Sequence, residues 1–353
     1  MNKEIYLNLF ITFYKFYGTK LVVRIALVGA TGEVGRKVLK ELEENRFENI
    51  TLFASKKSAG KKLNYLSKEV IINELTEKSF DEKFDYILFT AGSAVSKVYF
   101  SKALENCKVA IDNSSAFRMD EGIPLVIPEI NGNVLKGYKG LVANPNCSTI
   151  QMLLSLNNIY KKYGIEEIVV STYQAVSGSG NKGISELANQ ENGDLNVVNY
   201  PKQIFRNVIP EIGPYMENDF TEEEVKMVRE TKKIFNDDNI EVYPTAVRVP
   251  VYYGHSESIL VRTKSPLSKD DFINIMKNSE NVVYSEDIVT PLEIEDSKKT
   301  YVSRIRAIDE KTFMFWNVAD NVRVGAATNA VRIMQKHIEL NNWKICGIMQ
   351  LMI

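Results

Sequence analysis

The sequence predicts an α/β fold in two parts: a doubly wound parallel sheet with helices on both faces, then a second α+β domain built on a mixed sheet. Three observations carry this expectation. From Leu21 to Ala143, short apolar runs alternate with amphipathic helical stretches, the pattern of parallel βαβ units. A glycine-punctuated turn joins the first run to the first helix. Beyond Ile165 the runs lengthen and alternate with period two, which suits a mixed or antiparallel sheet.

Taken in order, Leu21 to Val28 reads as a buried strand, Gly29 to Gly35 as a tight turn, and Arg36 to Glu44 as a helix with Val38, Leu39 and Leu42 inward. Strands follow at Ile50 to Ala54, Asp85 to Thr90, Val109 to Asp112 and Leu141 to Ala143, and a helix starts near Ser148. The second part carries strands at Glu167 to Ala175, Val242 to Val251, Ser256 to Thr263 and Tyr301 to Asp309. Helices are expected at Gly183 to Asn192, Thr221 to Phe235 and Lys269 to Asn278, the last opened by Ser268 with Asp271 three residues on. A final helix, Gly325 to Leu340, closes the pattern. The expected domains are 21–147 with 317–353 for the first and 148–316 for the second.

With 353 residues, the chain exceeds the size at which one hydrophobic core stops growing. Its 44 Lys and Arg against 45 Asp and Glu contain no long basic block, which disfavours nucleic acid and anionic membrane and favours a small-molecule partner. Three cysteines without a C-x-x-C or paired spacing argue against a disulfide framework or a structural zinc site, and no metal is expected. A reducing cytoplasm fits. Ile5 to Tyr14 is apolar but short and broken by Asn8 and Thr12, so residues 1–20 read as an N-terminal extension rather than a membrane span.

Gly29-Ala30-Thr31-Gly32-Glu33-Val34-Gly35 sits where a strand meets a helix, so the backbone can approach a pyrophosphate and the helix start favours its charge. An ordinary tight turn is the alternative, since the spacing is G-x-x-G-x-x-G rather than G-x-G-x-x-G. The second strand ends without the acidic residue that would accept from ribose hydroxyls. It runs instead into Ser55-Lys56-Lys57-Ser58-Ala59-Gly60, whose cations and hydroxyls suit a 2′-phosphate and hence NADP. A solvated lysine pair is the simpler explanation of Lys56 and Lys57 taken alone.

Cys147, in Asn144-Pro145-Asn146-Cys147-Ser148-Thr149, stands at a strand-to-helix junction where first-turn N–H groups are expected to lower its pKa and favour a nucleophilic thiolate. Cys107 and Cys346 read as small hydrophobes. A cysteine nucleophile needs a proton shuttle, and only two histidines are available. His255 lies between strands, where a loop can deliver it to a site. His337 lies in the closing helix and reads as structural. Spacing alone does not bring His255 to Cys147, and a satisfied structural histidine is the alternative.

Together, GATGEVG, ASKKSAGK, DNSSAFRMD, NPNCST, TYQAVSGSG, RVPVYYGHSES and DNVRVGAATNA resemble the aspartate-semialdehyde dehydrogenase family over Leu21 to Leu340. The resemblance implies a Rossmann-type NADP-binding domain and a catalytic and dimerisation domain, in a cytoplasmic homodimer or homotetramer. It also implies reductive dephosphorylation of aspartyl 4-phosphate to aspartate 4-semialdehyde by NADPH through a cysteine thioester, a step toward diaminopimelate, lysine, methionine and threonine. Cys147 corresponds to the nucleophile, His255 to the general acid/base, and Gln174 to the residue orienting the intermediate. Arg248 matches the arginine for the substrate α-carboxylate, with a surface ion pair as the alternative.

Arg118 matches the phosphate-binding arginine, with Lys226 and Asn146 as companions. Glu223, three residues before Lys226 and able to share its helix face, is assigned the substrate ammonium, although a solvated charged helix reads nearly as well. On the cofactor side the resemblance assigns Gly29, Thr31, Gly32, Glu33 and Val34 to the pyrophosphate turn and Lys57 and Ser58 to the 2′-phosphate. Ser177 and Gly178 fall to the nicotinamide side and Asn321 to the returning C-terminal segment. Lys57 replaces the arginine more usual in that loop. The nearest alternative is N-acetyl-glutamyl-phosphate reductase, whose cysteine flank differs. A Cys-His hydrolase has no use for the glycine turn, and a silent NADP-binding protein has none for nucleophile, base and two arginines together.

Overall fold

The computed structural model describes residues 23–216 and 218–341. The expected N-terminal extension and Cys346 lie outside the described residues. The first sheet contains β1 (Ile25–Val28), β2 (Ile50–Ala54), β3 (Lys62–Tyr65), β4 (Lys68–Glu74), β5 (Phe84–Phe89), β6 (Cys107–Asp112) and β7 (Gly140–Ala143), in the order β3-β4-β2-β1-β5-β6-β7. All pairs are parallel except the β3-β4 hairpin at the edge. The order reverses at β1, between β2 and β5, so the crevice beyond the carboxyl ends of these strands is the ligand position of an open α/β sheet.

Helix α1 (Glu33–Glu44) buries Val38, Leu39 and Leu42 as the pattern predicts, but starts three residues before Arg36. Gly35 permits this: a Cβ there would lie 2.1 Å from the Gly29 carbonyl oxygen. Glu33 and Val34 therefore belong to the first helical turn rather than to the turn before it. The edge hairpin and α2 (Ser93–Glu105) carry no clear signal in the sequence. β3 and β4 are largely exposed and charged, and α2 fully buries only Ser96 and Ala103.

The second sheet contains β8 (Ile165–Gln174), β9 (Glu241–Arg248), β10 (His255–Thr263), β11 (Val282–Tyr284), β12 (Thr300–Ala307) and β13 (Thr312–Ala319), in the order β11-β12-β13-β10-β8-β9. The β11-β12 and β8-β9 pairs are parallel and the others antiparallel, a mixed sheet as expected. One face packs Ile168, Val170, Ile259, Val261 and Phe313 against α3 (Cys147–Tyr163), α5 (Glu222–Phe235) and α6 (Lys269–Asn278). Helix α4 (Gly180–Glu191) follows β8. On the opposite face Val169, Tyr173 and Tyr243 remain 38%, 36% and 48% exposed.

The closing helix does not begin as an α-helix. Arg323–Thr328 forms a wide π-type turn, with Ala327 N–H donating to the Val322 carbonyl, before α7 (Asn329–Asn341) continues. Asp320 initiates it by accepting from the Val322 and Arg323 N–H groups. Gly325 within it presses on Cys147: a Cβ there would lie 2.4 Å from the Cys147 Cβ. Ala327, Ala330, Val331 and Met334 then join Ile25, Leu27, Val38 and Leu52 in the core of the first sheet. No described helix is long and apolar enough to cross a membrane.

Candidate active site

Asn146 is the N-cap of α3. Its Oδ1 accepts from the Ser148 and Thr149 N–H groups at 2.9 and 3.2 Å, so Cys147 becomes the first residue of the helix. The same side chain donates from Nδ2 to Glu223 Oε1 at 2.7 Å, and the Asn146 backbone N–H donates to Glu230 at 2.6 Å. Gln174, at the end of β8, also donates to Glu223 Oε1, at 3.2 Å. Two carboxylates of α5 thus hold the cysteine loop and the end of β8 together. Lys226 pairs with Glu222 at 3.0 Å and Glu223 at 3.7 Å.

Arg118 is buried and spends Nε on the Asn144 carbonyl, one terminal nitrogen on Glu230 at 2.9 Å and the other on the Asn113 carbonyl. Two of its five N–H donors remain for a ligand. Glu230 is a site residue that sequence reading missed. Its signal is its spacing: Glu223, Lys226 and Glu230 recur at three and four residues along one face of α5. Gly325 was also missed, because its contact with Cys147 crosses from one end of the fold to the other.

His255 opens β10 fully buried. Its Nδ1 accepts from the Ala175 N–H at 3.0 Å, while Nε2 is buried with no partner among the described residues. The hydrogen bond fixes the tautomer in which Nδ1 is unprotonated. Arg248 donates to the Ala175 carbonyl at 2.7 Å, so one residue holds both side chains. Gly178 leaves room for them: a Cβ there would lie 2.8 Å from an Arg248 terminal nitrogen and 3.3 Å from His255 Nε2.

The electrostatics correct one expectation. Burial, reinforced by the Glu223 charge, pushes the Cys147 thiol up to about 12, against the opposing pull of Arg118, Arg248 and the Ser148 N–H. A helix start was expected to lower it, but desolvation of a thiolate outweighs one turn of dipoles here. Burial, with Arg248 adding, holds His255 well below the ordinary imidazole range. At rest the two are a neutral thiol and a neutral imidazole, both within the field of Arg248. Cys107, a strand residue, is likewise raised to about 12 by burial alone. His337 is tied at both nitrogens, to the Tyr86 hydroxyl at 2.7 Å and the Tyr138 carbonyl at 2.9 Å.

The glycine turn fits a dinucleotide. Gly29 has φ 91°, and a Cβ there would meet Thr90 Oγ1 at 2.7 Å, so only glycine fits this turn at the switch point. Thr31 reaches Ser58 at 3.4 Å, linking this turn to the 55–60 loop. Lys56 and Lys57 are exposed there, and neither has an ion pair among the described residues. The Glu33 carboxylate is held by Arg36 at 2.5 Å and the Tyr253 hydroxyl at 3.1 Å, which leaves only its backbone for a ligand. Ser177 and Asn321 hydrogen-bond each other at 3.0 Å, and Asn321 accepts from the Gly254 N–H beside His255. No three His, Cys, Asp or Glu among the described residues could hold a metal.

Comparison with known proteins agrees with this architecture. A family model described as the semialdehyde dehydrogenase NAD binding domain matches residues 24–138, and one described as its dimerisation domain matches 156–324. Aspartate-semialdehyde dehydrogenase of Aquifex aeolicus is 44% identical over 329 residues, 88% of this chain and 97% of that protein. The Campylobacter jejuni protein of the same name is 42% identical over 338 residues, 90% and 98% of the two chains. Among solved structures, aspartate semialdehyde dehydrogenase II of Vibrio cholerae, complexed with ASA, superposes with a TM-score of 0.85 at 39% identity, covering 90% of this chain and 98% of that one. On this likeness across nearly its whole length, the chain belongs to the aspartate-semialdehyde dehydrogenase family.

Proposed function

We propose that the protein reduces the acyl phosphate of aspartyl 4-phosphate to aspartate 4-semialdehyde, with release of inorganic phosphate, through a thioester on Cys147. The observation that carries this reading is the cysteine's setting: a helix start influenced by two buried arginines, one of which, Arg248, also acts on an imidazole whose Nε2 lacks a partner among the described residues. Cys147 Sγ attacks the acyl carbon, the acyl carbon–oxygen bond breaks and the thiol proton leaves on the departing phosphate toward Arg118 and Lys226, while His255, whose Nδ1 accepts from Ala175, donates its Nε2–H to the acyl oxygen. NADPH, when bound, supplies the hydride that reduces the thioester carbonyl. The carbon–sulfur bond then breaks as the aldehyde forms, and the sulfur, released as a thiolate facing the His255 Nε2–H, takes up a proton from solvent. Splitting the reaction in this way gives each half a lower barrier.

The substrate's charges act on both pKa values. Glu223 is the largest charge acting to raise the Cys147 pKa, and a substrate ammonium paired with it relieves that effect. Arg248 depresses His255, and a substrate carboxylate paired with Arg248 relieves that effect. The same carboxylate, and phosphate on Arg118, offset the pull of those arginines on Cys147, so it is the ammonium at Glu223 that favours loss of the thiol proton. Gln174, held by Glu223, is placed to orient the acyl group.

For the cofactor, first-turn N–H groups of the Gly29 to Val34 turn would hold the pyrophosphate, Lys57 and Ser58 the 2′-phosphate of NADP, and Ser177, Gly178 and Asn321 the nicotinamide side. We assign residues 21–147 with the segment after 317 to the cofactor domain and 148–316 to the catalytic domain. The open face around Val169, Tyr173 and Tyr243 serves homodimerisation of a cytoplasmic enzyme, consistent with the matched dimerisation family. The test is phosphate-dependent reduction of NADP with aspartate semialdehyde by the purified protein. Turnover that ignores phosphate, or none from folded protein, rejects the reading.

A further inference from the structure

Two residues beyond His255, β10 buries a second ionisable group. His255, Glu257, Ile259 and Val261 lie on one face of the strand, and Ile259 and Val261 join the core packed under α3. The row of Glu257 is polar within that core. In register it faces Asn317 on β13 and Thr172 on β8, and all three are fully buried. Asn317 Nδ2 donates to Glu257 Oε2 at 3.1 Å and to the Gln151 carbonyl at 3.0 Å. Gln151, one turn after Cys147, donates from Nε2 to the His255 carbonyl at 3.3 Å, and its side chain reaches Glu257.

Three acceptors in this cluster have no donor among the described residues: Glu257 Oε1, Gln151 Oε1 and Asn317 Oδ1. The first two belong to side chains already in contact, so a single proton on Glu257 serves both, with the acid O–H donating to the amide oxygen. An ionised carboxylate would leave both unserved and bring a charge into an apolar sheet. Burial drives the Glu257 pKa well above the carboxylate range, outweighing the opposing pull of Gln151 and Asn317. The chain of contacts then runs from the helix bearing Cys147 through Gln151 to the backbone of His255, with Glu257 and Asn317 as its footing.

We propose that Glu257, as a neutral acid, is a positioning residue that holds Gln151 and so fixes the helix start bearing Cys147 against the strand end bearing His255. The inference rests on the reading of those two residues as the reacting pair. It is tested with Glu257→Met, Gln151→Leu, the double variant and Glu257→Gln. Each is compared with wild type for kcat, KM, thermal midpoint and the rate at which iodoacetamide alkylates Cys147 without substrate.

Glu257→Met lowers kcat about 10²-fold with KM changed less than about threefold, the mark of misplaced reacting groups rather than lost binding. Its alkylation rate shifts from the wild-type value while the thermal midpoint stays close to it, because a packed apolar side chain can replace a buried polar one. Gln151→Leu behaves alike, and the double variant is no worse than either single one because the pair acts as a unit. Glu257→Gln recovers most of the turnover, since its amide donates to Gln151 and accepts from Asn317. Wild-type turnover in Glu257→Met, additive losses, or a Glu257→Gln no better than Glu257→Met overturns the proposal. If Glu257→Met does not fold, Gln151→Leu and Glu257→Gln decide it. A wild type that folds but does not turn over rejects the functional reading alone, and the alkylation rates still judge the positioning claim.

Discussion

The two halves of the candidate site are built in opposite ways. The cofactor side is backbone and surface: a glycine turn, a helix start and exposed lysines in one loop. The substrate side is a packed set of side chains, where Arg118, Glu223, Glu230 and Arg248 are all buried and each holds another site group. A site made of backbone needs only a local run of residues. A site made of buried charges needs the whole fold, because each charge is tolerated only beside its partner.

The contrast has measurable consequences. The largest is expected at the nucleophile: Cys147→Ser lowers turnover by more than about 10⁴-fold and abolishes a trapped acyl-enzyme, while Cys107→Ser keeps most activity. Equal losses in rate assays of the two variants would point to the wrong cysteine. Glu230→Ala, which strands Arg118 without its carboxylate, costs about 3–5 kcal/mol of stability in denaturant unfolding. A loss as small as that of a surface pair would mean that water reaches this arginine. On the cofactor side, Lys57→Ala raises KM for NADP about tenfold with little effect on NAD, the worth of one charge-assisted contact, and leaves stability unchanged. Equal changes for both cofactors would remove Lys57 from the 2′-phosphate site.

The smallest effect is expected in the ion-pair cluster that joins α1 to the second domain, where the Asp296 carboxylate meets Lys37, Lys40 and Arg323. Burial alone would raise its pKa, but the two lysine hydrogen bonds and the arginine charge lower it to about 2. A carboxyl depressed in the folded state adds stability above its unfolded pKa of about 3.9 and loses it as pH falls through the folded value. Solvent screening limits the contribution to about 1 kcal/mol. Acid unfolding of Asp296→Asn should therefore depend less on pH across that window. An unchanged acid limb means that the cluster contributes nothing net.

The elements that sequence reading found best are those with one dominant period. β1, β2, α1 and α6 fall within a few residues of expectation because a continuous apolar run dictates each strand and a single buried face each helix. The β3-β4 hairpin, α2 and β13 escaped for different reasons. The first two bury little. β13 pairs over its whole length with β10, a strand far from it in sequence, and that pairing stabilises it where local pattern does not. The expected thiolate at Cys147 failed because a helix start is visible in sequence, whereas the burial and the Glu223 charge that oppose it are not.

The sequence by itself determined the layered architecture, the switch-point turn, and the types of residue available for chemistry: one polar-flanked cysteine at a helix start and one histidine between strands. Periodicity and turn geometry are local, so a linear string can carry them. Only the tertiary structure decided which charges meet, that Glu230 anchors both Arg118 and the cysteine loop, that Gly325 closes over Cys147, and that Glu257 lies buried beneath the pair. Those are contacts between residues scores of positions apart, and desolvation, which sets their pKa values, is a property of the packed molecule rather than of any segment.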